Sequence, residues 1–403
     1  MMSETKQPTM SRRAREAQPF RAMVFGERAD EMIARSISVI KLSLGEPDFG
    51  APPAVRDAMR EQYDGRALPY TAALGLPELR RAIADSYHER HHVDIDPRRI
   101  VITAGGSAAL LLATALTVDP GDEVILPAPY WVSYYELIKM VGGVPVVVTT
   151  TEENGFNLTP EQLQAAITPK TKALMLNSPS NPTGMIYSRE HLEDIAKVCL
   201  DNDLYVIADE MYSKLVFDNK EFVSFPTLSK EIKARTILVG GASKTYAMTG
   251  WRIGFAAASK EIVQVMSNYL SHSLSGTCSI AQAAATEAFS GSQDEIEVMR
   301  QAFETRRNYL YERMSAIPGV HPVRPEATFY MLMNLDQLIG KTLYGDVIHD
   351  ADDFARVFLR EGLVAVVPCT GFGAPNYVRW SFAVSMENIK EGMDRLEKFL
   401  KNA

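Results

Sequence analysis

Residues 172–209, "KALMLNSPSNPTGMIYSREHLEDIAKVCLDNDLYVIAD", contain two apolar runs with one amphipathic run between them. KALMLN and LYVIAD have the composition of buried strands, and SREHLEDIAKVCLDN has that of a helix. Fully apolar strands that alternate with helices are typical of a mostly parallel sheet covered on both faces. The stretch therefore predicts an α/β fold.

The same alternation extends outward from this stretch in both directions. Further strand-like runs are RIVIT (99–103), DEVILP (122–127), VPVVV (144–148), TILVGG (236–241) and GFAAAS (254–259). The alternation stops near residue 290, where one long amphipathic run precedes two strand-like runs and two helical ones. We therefore expect a large α/β domain over 46–292 and a smaller α+β domain over 293–403. Residues 1–45 would form an N-terminal arm and part of the small domain, with one helix near 26–36.

The composition excludes several classes of function. The 403 residues include 42 basic and 50 acidic side chains, and a net charge of −8 argues against general nucleic-acid binding. Cys199, Cys278 and Cys369 are too few and too scattered for a disulfide framework or a metal cluster, so we expect no metal and a cytoplasmic location. The first twenty residues have no apolar core and do not resemble a secretory signal.

Five strand ends carry side chains that could hold a ligand. In open α/β sheets, ligands bind at the carboxyl ends of the strands. The groups at these ends are the Gly105–Gly106–Ser107 turn, Trp131, Asn181, Asp209 and Lys244. A glycine-rich turn that opens a helix offers N–H groups and a positive dipole end to a phosphate. An aromatic side chain can stack on a flat ring, and an amide can hydrogen-bond to one.

Asp209 and Lys244 are the most informative of the five. A carboxylate at the end of a buried strand needs a cationic partner. Burial lowers the pKa of a lysine and makes its amine a nucleophile for carbonyl groups. Each group alone has an ordinary explanation: a turn, a core aromatic, an ion pair or a surface lysine. Together they predict pyridoxal phosphate, with its ring on Trp131, its pyridinium on Asp209 and its aldehyde on Lys244.

Six motifs in order along the chain carry a family resemblance. They are LSLGEPDF (42–49), YTAALGLPELR (70–80), NSPSNPTG (177–184), ADEMY (208–212), SKTYAMTGWRIGF (243–255) and YVRWSF (377–382). The chain resembles the fold-type-I, class I/II pyridoxal-phosphate-dependent aminotransferases, the aspartate aminotransferase-like family. The resemblance implies a mostly parallel seven-stranded sheet and a homodimer with shared active sites.

The resemblance also implies roles for individual residues. Lys244 would be the Schiff-base lysine and proton shuttle, and Asp209 the partner of the ring nitrogen. Tyr212 and Asn181 would hydrogen-bond to the phenolic oxygen of the cofactor. The implied phosphate site consists of Gly105, Gly106, Ser107, Ser243, Arg252 and, from the neighbouring subunit, Tyr70. The implied substrate site consists of Gly45, Trp131, Asn181 and Arg379, with Arg379 gripping the α-carboxylate.

The expected reaction is ping-pong transfer of the amino group of an L-α-amino acid to a 2-oxo acid, either 2-oxoglutarate or pyruvate. A lyase or a cyclising enzyme of the same fold stays open as an alternative. A regulatory module is disfavoured because only about 40 residues precede LSLGEPDF. An inactive scaffold is disfavoured because every implied site residue is present.

The sequence says less about the substrate. No arginine lies between Arg252 and Arg300, where one aspartate-specific branch has an arginine from the partner subunit. Ser107 occupies the place where another branch has a lysine. These two differences favour a broad or non-acidic amino donor. An aspartate-specific enzyme that uses an N-terminal arginine is the alternative, with the candidates Arg12, Arg13, Arg15 and Arg21.

Overall fold

A computed structural model of the chain describes residues 9–11, 14–15, 21–64 and 67–402. Its helices are α1 Arg21–Ala34, α2 Pro53–Tyr63, α3 Pro77–His91, α4 Gly106–Thr117, α5 Val132–Met140, α6 Pro160–Ala166, α7 Arg189–Asp201, α8 Lys230–Arg235, α9 Lys260–Ser273, α10 Ser279–Ser290, α11 Asp294–Ser315, α12 Ala351–Val357 and α13 Met386–Lys401. Within these ranges, no helix is long and apolar enough to cross a membrane.

The strands form one large sheet and several small ones. They are β1 Ile40–Lys41, β2 Ile100–Thr103, β3 Glu123–Ala128, β4 Val144–Thr149, β5 Thr171–Asn177, β6 Tyr205–Asp209, β7 Thr236–Gly241, β8 Gly254–Ala257, β9 His321–Val323, β10 Tyr330–Asn334, β11 Thr342–Leu343, β12 Asp346–Val347, β13 Val364–Ala365, β14 Val367–Pro368 and β15 Tyr377–Ser381. The large sheet has seven strands in the order β2-β8-β7-β6-β5-β3-β4. Only the pairs made by β8 are antiparallel. The predicted mostly parallel α/β sheet is confirmed.

The opening stretch forms the β5–α7–β6 unit of this sheet. Ser188 caps α7 by accepting a hydrogen bond from the His191 N–H group. The helix buries Leu192, Ile195 and Cys199, which lie on one face because they are three or four residues apart. Asn177 at the end of β5 pairs with Asp209 at the end of β6. The unit therefore brings two polar side chains to one edge of the sheet.

The C-terminal part of the chain builds a second sheet, in the order β14-β15-β10-β9, with antiparallel neighbours. Strand β1 pairs in parallel with β13, which joins the N-terminal segment to this part of the chain. One buried cluster contains Phe25, Leu42, Phe303, Trp380 and Met393. The N-terminal segment and the C-terminal third therefore share a hydrophobic core.

The helix expected near residues 26–36 spans Arg21–Ala34 and so begins earlier than the sequence suggested. Phe25 and Ala29 are both buried, so the apolar face continues N-terminal to Gly26. Gly26 lies inside the helix at a place where a β-carbon would meet nothing within 4 Å. Glycine lowers helix propensity but does not end a helix that tertiary packing supports.

Candidate active site

A cavity of about 300 Å³ opens at the carboxyl edge of the large sheet. Of the residues predicted from sequence, the following line it: Gly45, Gly106, Ser107, Trp131, Asn181, Asp209, Tyr212, Ser243, Lys244, Arg252 and Arg379. Gly105 precedes Gly106 at the N-terminus of α4. Tyr70 does not line the cavity and is 90% exposed. The structure therefore brings together nearly all of the predicted set from seven separate stretches of sequence.

Lys244 follows β7 and extends its amine into the cavity. The amine donates a hydrogen bond to the carbonyl oxygen of Gly45. Burial lowers the pKa of Lys244 to about 8, although the negative charge of Glu46 opposes the shift. About a tenth of the amine is therefore uncharged at pH 7, far more than for an ordinary lysine, which suits both attack on a carbonyl and proton transfer.

The LSLGEPDF segment is held over Lys244 by two side-chain contacts. The Thr249 hydroxyl donates to a carboxylate oxygen of Glu46 over 2.9 Å. Arg306 on α11 pairs with Asp48 at 2.7 Å. These contacts tie the segment to the loop that follows Lys244 and to the long helix. They explain why the Gly45 carbonyl faces the amine.

Asp209 ends β6 and is 5% exposed. Its carboxylate accepts hydrogen bonds from the Tyr134 hydroxyl at 2.7 Å and from the Met211 N–H group at 3.0 Å. Burial raises the pKa of Asp209 to about 6, and the two hydrogen bonds oppose that rise. Within the described part of the chain the carboxylate has no salt-bridge partner. It is therefore a buried negative charge that a cation in the cavity would stabilise.

Arg379 lies on β15, is 5% exposed and carries the opposite charge. One guanidinium nitrogen, Nη1, donates to Asn181 Oδ1 at 2.8 Å, while Nε is buried without a partner. No carboxylate of the described residues pairs with it. A buried guanidinium in this state is a ready site for an anion, and its parallel N–H groups match a carboxylate.

Arg252 and the start of α4 form a second cationic region. Gly105 caps the helix with φ +91°, and a β-carbon built on it would lie 2.4 Å from Arg252 Nη2. The guanidinium therefore packs directly on the glycine turn, and its Nη1 donates to the Thr249 carbonyl at 2.8 Å. The hydroxyl-bearing residues Ser107 and Ser243 line the same cavity. Helix N–H groups, hydroxyls and a guanidinium together suit a phosphate.

The cavity also contains residues that the sequence analysis missed. They are Ser43, Leu110, Tyr134, Asn177, Met211, Thr249 and Tyr330. Tyr134 lies three residues after Trp131, a spacing that places both side chains on one side of the start of α5. That spacing could have identified Tyr134 as a site residue from the sequence. Tyr330 could not have been placed without knowing that β10 pairs with β15.

The comparisons with known proteins agree with this site. The family model described as "Aminotransferase class I and II" matches residues 37–396. An aspartate aminotransferase of Bacillus sp. (strain YM-2) is 42% identical, and the match covers 97% of this chain and 99% of that protein. An asparagine–oxo-acid transaminase of Streptococcus mutans is also 42% identical, with the same coverage.

Solved structures of the same class have the same fold. The aspartate aminotransferase of Rhizobium meliloti superposes with a TM-score of 0.95 at 35% identity, covering 98% of this chain and 100% of that one. The Thermus thermophilus enzyme with maleate gives 0.91 at 37% identity, with the same coverage. The predicted fold class is confirmed. The chain belongs to the class I and II aminotransferase family and is a transaminase.

Proposed function

We propose that this transaminase uses pyridoxal phosphate and moves the amino group of an L-α-amino acid to a 2-oxo acid, 2-oxoglutarate or pyruvate. The observation that carries the proposal is one cavity with three separate charged groups. Lys244 offers an amine, Asp209 a buried carboxylate and Arg252 a guanidinium packed on a helix N-terminus. A lyase is not favoured, because the relatives at about 40% identity are named as transaminases.

The cavity fits this cofactor group by group. The buried carboxylate of Asp209 lacks a cation of its own, which suits a protonated pyridine nitrogen. The turn at Gly105 and the guanidinium of Arg252 suit the phosphate, and Trp131 offers a flat face for the ring. When bound, pyridoxal phosphate supplies a ring that withdraws electrons from the substrate Cα.

Lys244 and Arg379 act on the substrate itself. The uncharged amine of Lys244 removes the proton from the substrate Cα. The same group, now protonated, then delivers a proton to the carbon that carries the amino group after transfer. Arg379 binds the α-carboxylate, and its single hydrogen bond to Asn181 leaves the other donors for the ligand. The hydrogen bond to Asn181 also fixes the orientation of the Asn181 side-chain amide. Its oxygen accepts from Arg379, so its NH₂ group is free to donate to a ligand in the cavity. Tyr212 would donate its hydroxyl proton to the phenolic oxygen of the cofactor.

We also propose a homodimer that shares its two active sites. Exposed apolar side chains occur on α4, on α9 and the residue after it, and on the segment before Tyr70. They are Leu68, Leu111, Val265, Tyr269 and Leu274. Helices α4 and α9 pack on each other, so their exposed apolar side chains lie on neighbouring elements and define a candidate dimer surface. A second copy covering that surface would carry its own exposed Tyr70 to the phosphate site of the first.

For the amino donor we propose aspartate. The support comes from the relatives, several of which are named aspartate aminotransferase. These names favour an acidic donor over the broad or non-acidic one that the missing arginine suggested. The described residues give the cavity no cation besides Lys244, Arg252 and Arg379. The side-chain carboxylate of aspartate would therefore bind to a cation from the partner subunit or from the N-terminal arm.

The arm candidates are only partly described. Arg15 is exposed, whereas Arg12, Arg13 and the side chain of Arg21 lie outside the described residues. Asparagine is the second candidate donor, because one relative at 42% identity is named asparagine–oxo-acid transaminase. The cytoplasmic location stays a prediction from the cysteine content.

A donor screen tests the proposal. Aspartate, asparagine, alanine and arginine would each be supplied with 2-oxoglutarate and with pyruvate, and kcat/KM measured for every pair. We expect aspartate with 2-oxoglutarate to give the highest value. Steady release of ammonia and a 2-oxo acid without an acceptor would instead identify a lyase.

A further inference from the structure

Tyr330, the first residue of β10, contacts two of the proposed functional residues at once. It is 1% exposed. Its ring lies under the Arg379 guanidinium, with 4.1 Å from the guanidinium carbon to the ring centroid. Its hydroxyl lies 3.2 Å from the Tyr212 hydroxyl. The ring and the hydroxyl therefore serve different neighbours, one in the substrate site and one in the proposed cofactor site.

The register of the small sheet explains the contact with Arg379. Leu332 on β10 is directly opposite Arg379 on β15, and Tyr330 lies two residues away on the same face. On β10 that spacing brings the ring within reach of the guanidinium. Phe372 contributes a second ring, 5.3 Å from the same guanidinium carbon. The buried guanidinium is thus in contact with two aromatic rings.

This packing fixes the plane of the guanidinium before any ligand arrives. Asn181 holds one nitrogen and the two rings restrict rotation, while Nε has no partner. A desolvated cation–π contact is among the stronger of its kind. A preorganised fork loses less conformational freedom when it binds a carboxylate, so the ring favours substrate binding through its effect on Arg379.

The hydroxyl of Tyr330 acts on Tyr212. Burial raises the pKa of both tyrosines, so both hydroxyls are protonated near neutral pH. Tyr212 has a single proton to donate. If that proton goes to an acceptor in the cavity, the bond between the two hydroxyls must use the proton of Tyr330. The Tyr330 hydroxyl therefore aims the Tyr212 proton at the ligand.

We propose that Tyr330 is a positioning residue with two separable roles. Its ring orients Arg379 for the α-carboxylate that all substrates share, and its hydroxyl orients the Tyr212 proton toward the phenolic oxygen of the cofactor. This inference rests on the proposed function. It adds a residue that none of the six sequence motifs contains.

Two substitutions separate the roles. Tyr330→Phe keeps the ring and removes the hydroxyl, while Tyr330→Leu removes both. Phe382→Leu is the matched control, because it deletes a buried ring just after β15 that does not line the cavity. For each purified protein, the measurements are the dissociation constant of 2-oxoglutarate by calorimetry, the KM of both substrates and the pKa of the visible absorbance of bound pyridoxal phosphate.

The two roles predict different patterns. Tyr330→Phe should leave the 2-oxoglutarate dissociation constant within about twofold and raise the pKa of the bound chromophore, since its anionic oxygen loses an oriented donor. Tyr330→Leu should show the same pKa change and also weaken 2-oxoglutarate and raise both KM values roughly tenfold. Phe382→Leu should lower the melting temperature and leave the other quantities unchanged.

Other patterns would overturn the inference. If Tyr330→Phe weakens 2-oxoglutarate as much as Tyr330→Leu does, the ring does not orient Arg379. If Tyr330→Leu behaves like Phe382→Leu, Tyr330 is only a core residue. A failure of the proposed function would look different: the unsubstituted protein would show no visible absorbance band and no transfer. Calorimetry with 2-oxoglutarate would then still test the role of the ring.

Discussion

At the scale of single residues, Asp209 is unusual because its buried carboxylate accepts hydrogen bonds from neutral donors only. The Tyr134 hydroxyl is one of these donors, and its hydrogen bond lowers the pKa of Asp209 against the larger effect of burial. Tyr134 therefore helps to keep Asp209 charged, although the sequence analysis did not include Tyr134 in the site.

Tyr134→Phe should raise the pKa of Asp209 above its present value of about 6. A larger fraction of the carboxyl group is then protonated near pH 6.5, so a pyridinium is held less tightly. We expect the affinity for pyridoxal phosphate to fall roughly tenfold at pH 6.5 and by less at pH 8.5, where the group ionises in both proteins. A fluorescence titration at the two pH values measures this.

Tyr135→Phe is the control for this substitution. Tyr135 is the next residue along α5 and stacks on Tyr130, and it does not line the cavity. Its substitution should leave cofactor affinity unchanged at both pH values. An equal loss at pH 6.5 and pH 8.5 in Tyr134→Phe would mean that Tyr134 acts by packing and not through the charge of Asp209.

At the residue scale, much of the site could be predicted from the sequence. Lys244, Asp209 and the glycine turn each follow an apolar strand, so their convergence follows from the rule that parallel strands end at one edge. Arg379 was assigned only through the family resemblance. Tyr330 was missed because its partner is across an antiparallel pair of short strands, whose register no local pattern fixes.

At the scale of elements, the N-terminus of α4 shows how a turn and a side chain combine. Gly105 has φ +91°, and a β-carbon there would collide with Arg252. Gly105→Ala should therefore displace the guanidinium and distort the turn. We expect the affinity for pyridoxal phosphate to fall more than tenfold, because both parts of the proposed phosphate site are disturbed. An absorbance titration with pyridoxal phosphate measures the loss.

Gly121 provides a close control. It has φ +97°, similar to that of Gly105, but a β-carbon on it would meet nothing within 4 Å. Gly121→Ala therefore imposes the same kind of backbone strain without the collision, and should cost about 1 kcal/mol of stability with no change in cofactor affinity. Equal affinities in the two variants would show that the contact with Arg252 is unimportant.

The elements between residues 99 and 259 were the most predictable. Each strand-like run there is a strand of the large sheet, and all of these strands except the edge strand β4 are largely buried, which explains their apolar composition. The strand order could not be predicted, and neither could the antiparallel direction of β8, because composition does not encode direction. The start of α1 was missed because Gly26 resembles a boundary, whereas packing of Phe25 extends the helix past it.

At the scale of the whole molecule, we propose that 293–403 and part of the described N-terminal segment before residue 46 form one domain, and that 46–292 form another. The shared core of Phe25, Leu42, Phe303, Trp380 and Met393 supports this division. The cavity is lined by residues of both groups, including Gly45 and Arg379 from the first and Lys244 from the second. Movement between the two proposed domains would therefore alter the proposed substrate site directly.

The proposed dimer gives a prediction at the same scale. Tyr269→Glu places a charge on the exposed apolar surface of α9 and should produce a monomer with reduced cofactor affinity, because Tyr70 is no longer delivered by a partner. Val298→Glu is the control, since Val298 is equally apolar and exposed on α11. Sedimentation measures the mass. A Tyr269→Glu protein that stays dimeric would exclude this surface as the interface.

The central claim is that the Lys244 amine carries out the proton transfer on a bound cofactor. Single-turnover absorbance with aspartate tests it most directly, comparing the natural protein with Lys244→Ala, both loaded with pyridoxal phosphate. We predict rapid conversion to the amino form in the natural protein, and retained cofactor with conversion slowed by at least about a thousandfold in Lys244→Ala. Conversion at the natural rate without Lys244 would contradict the account.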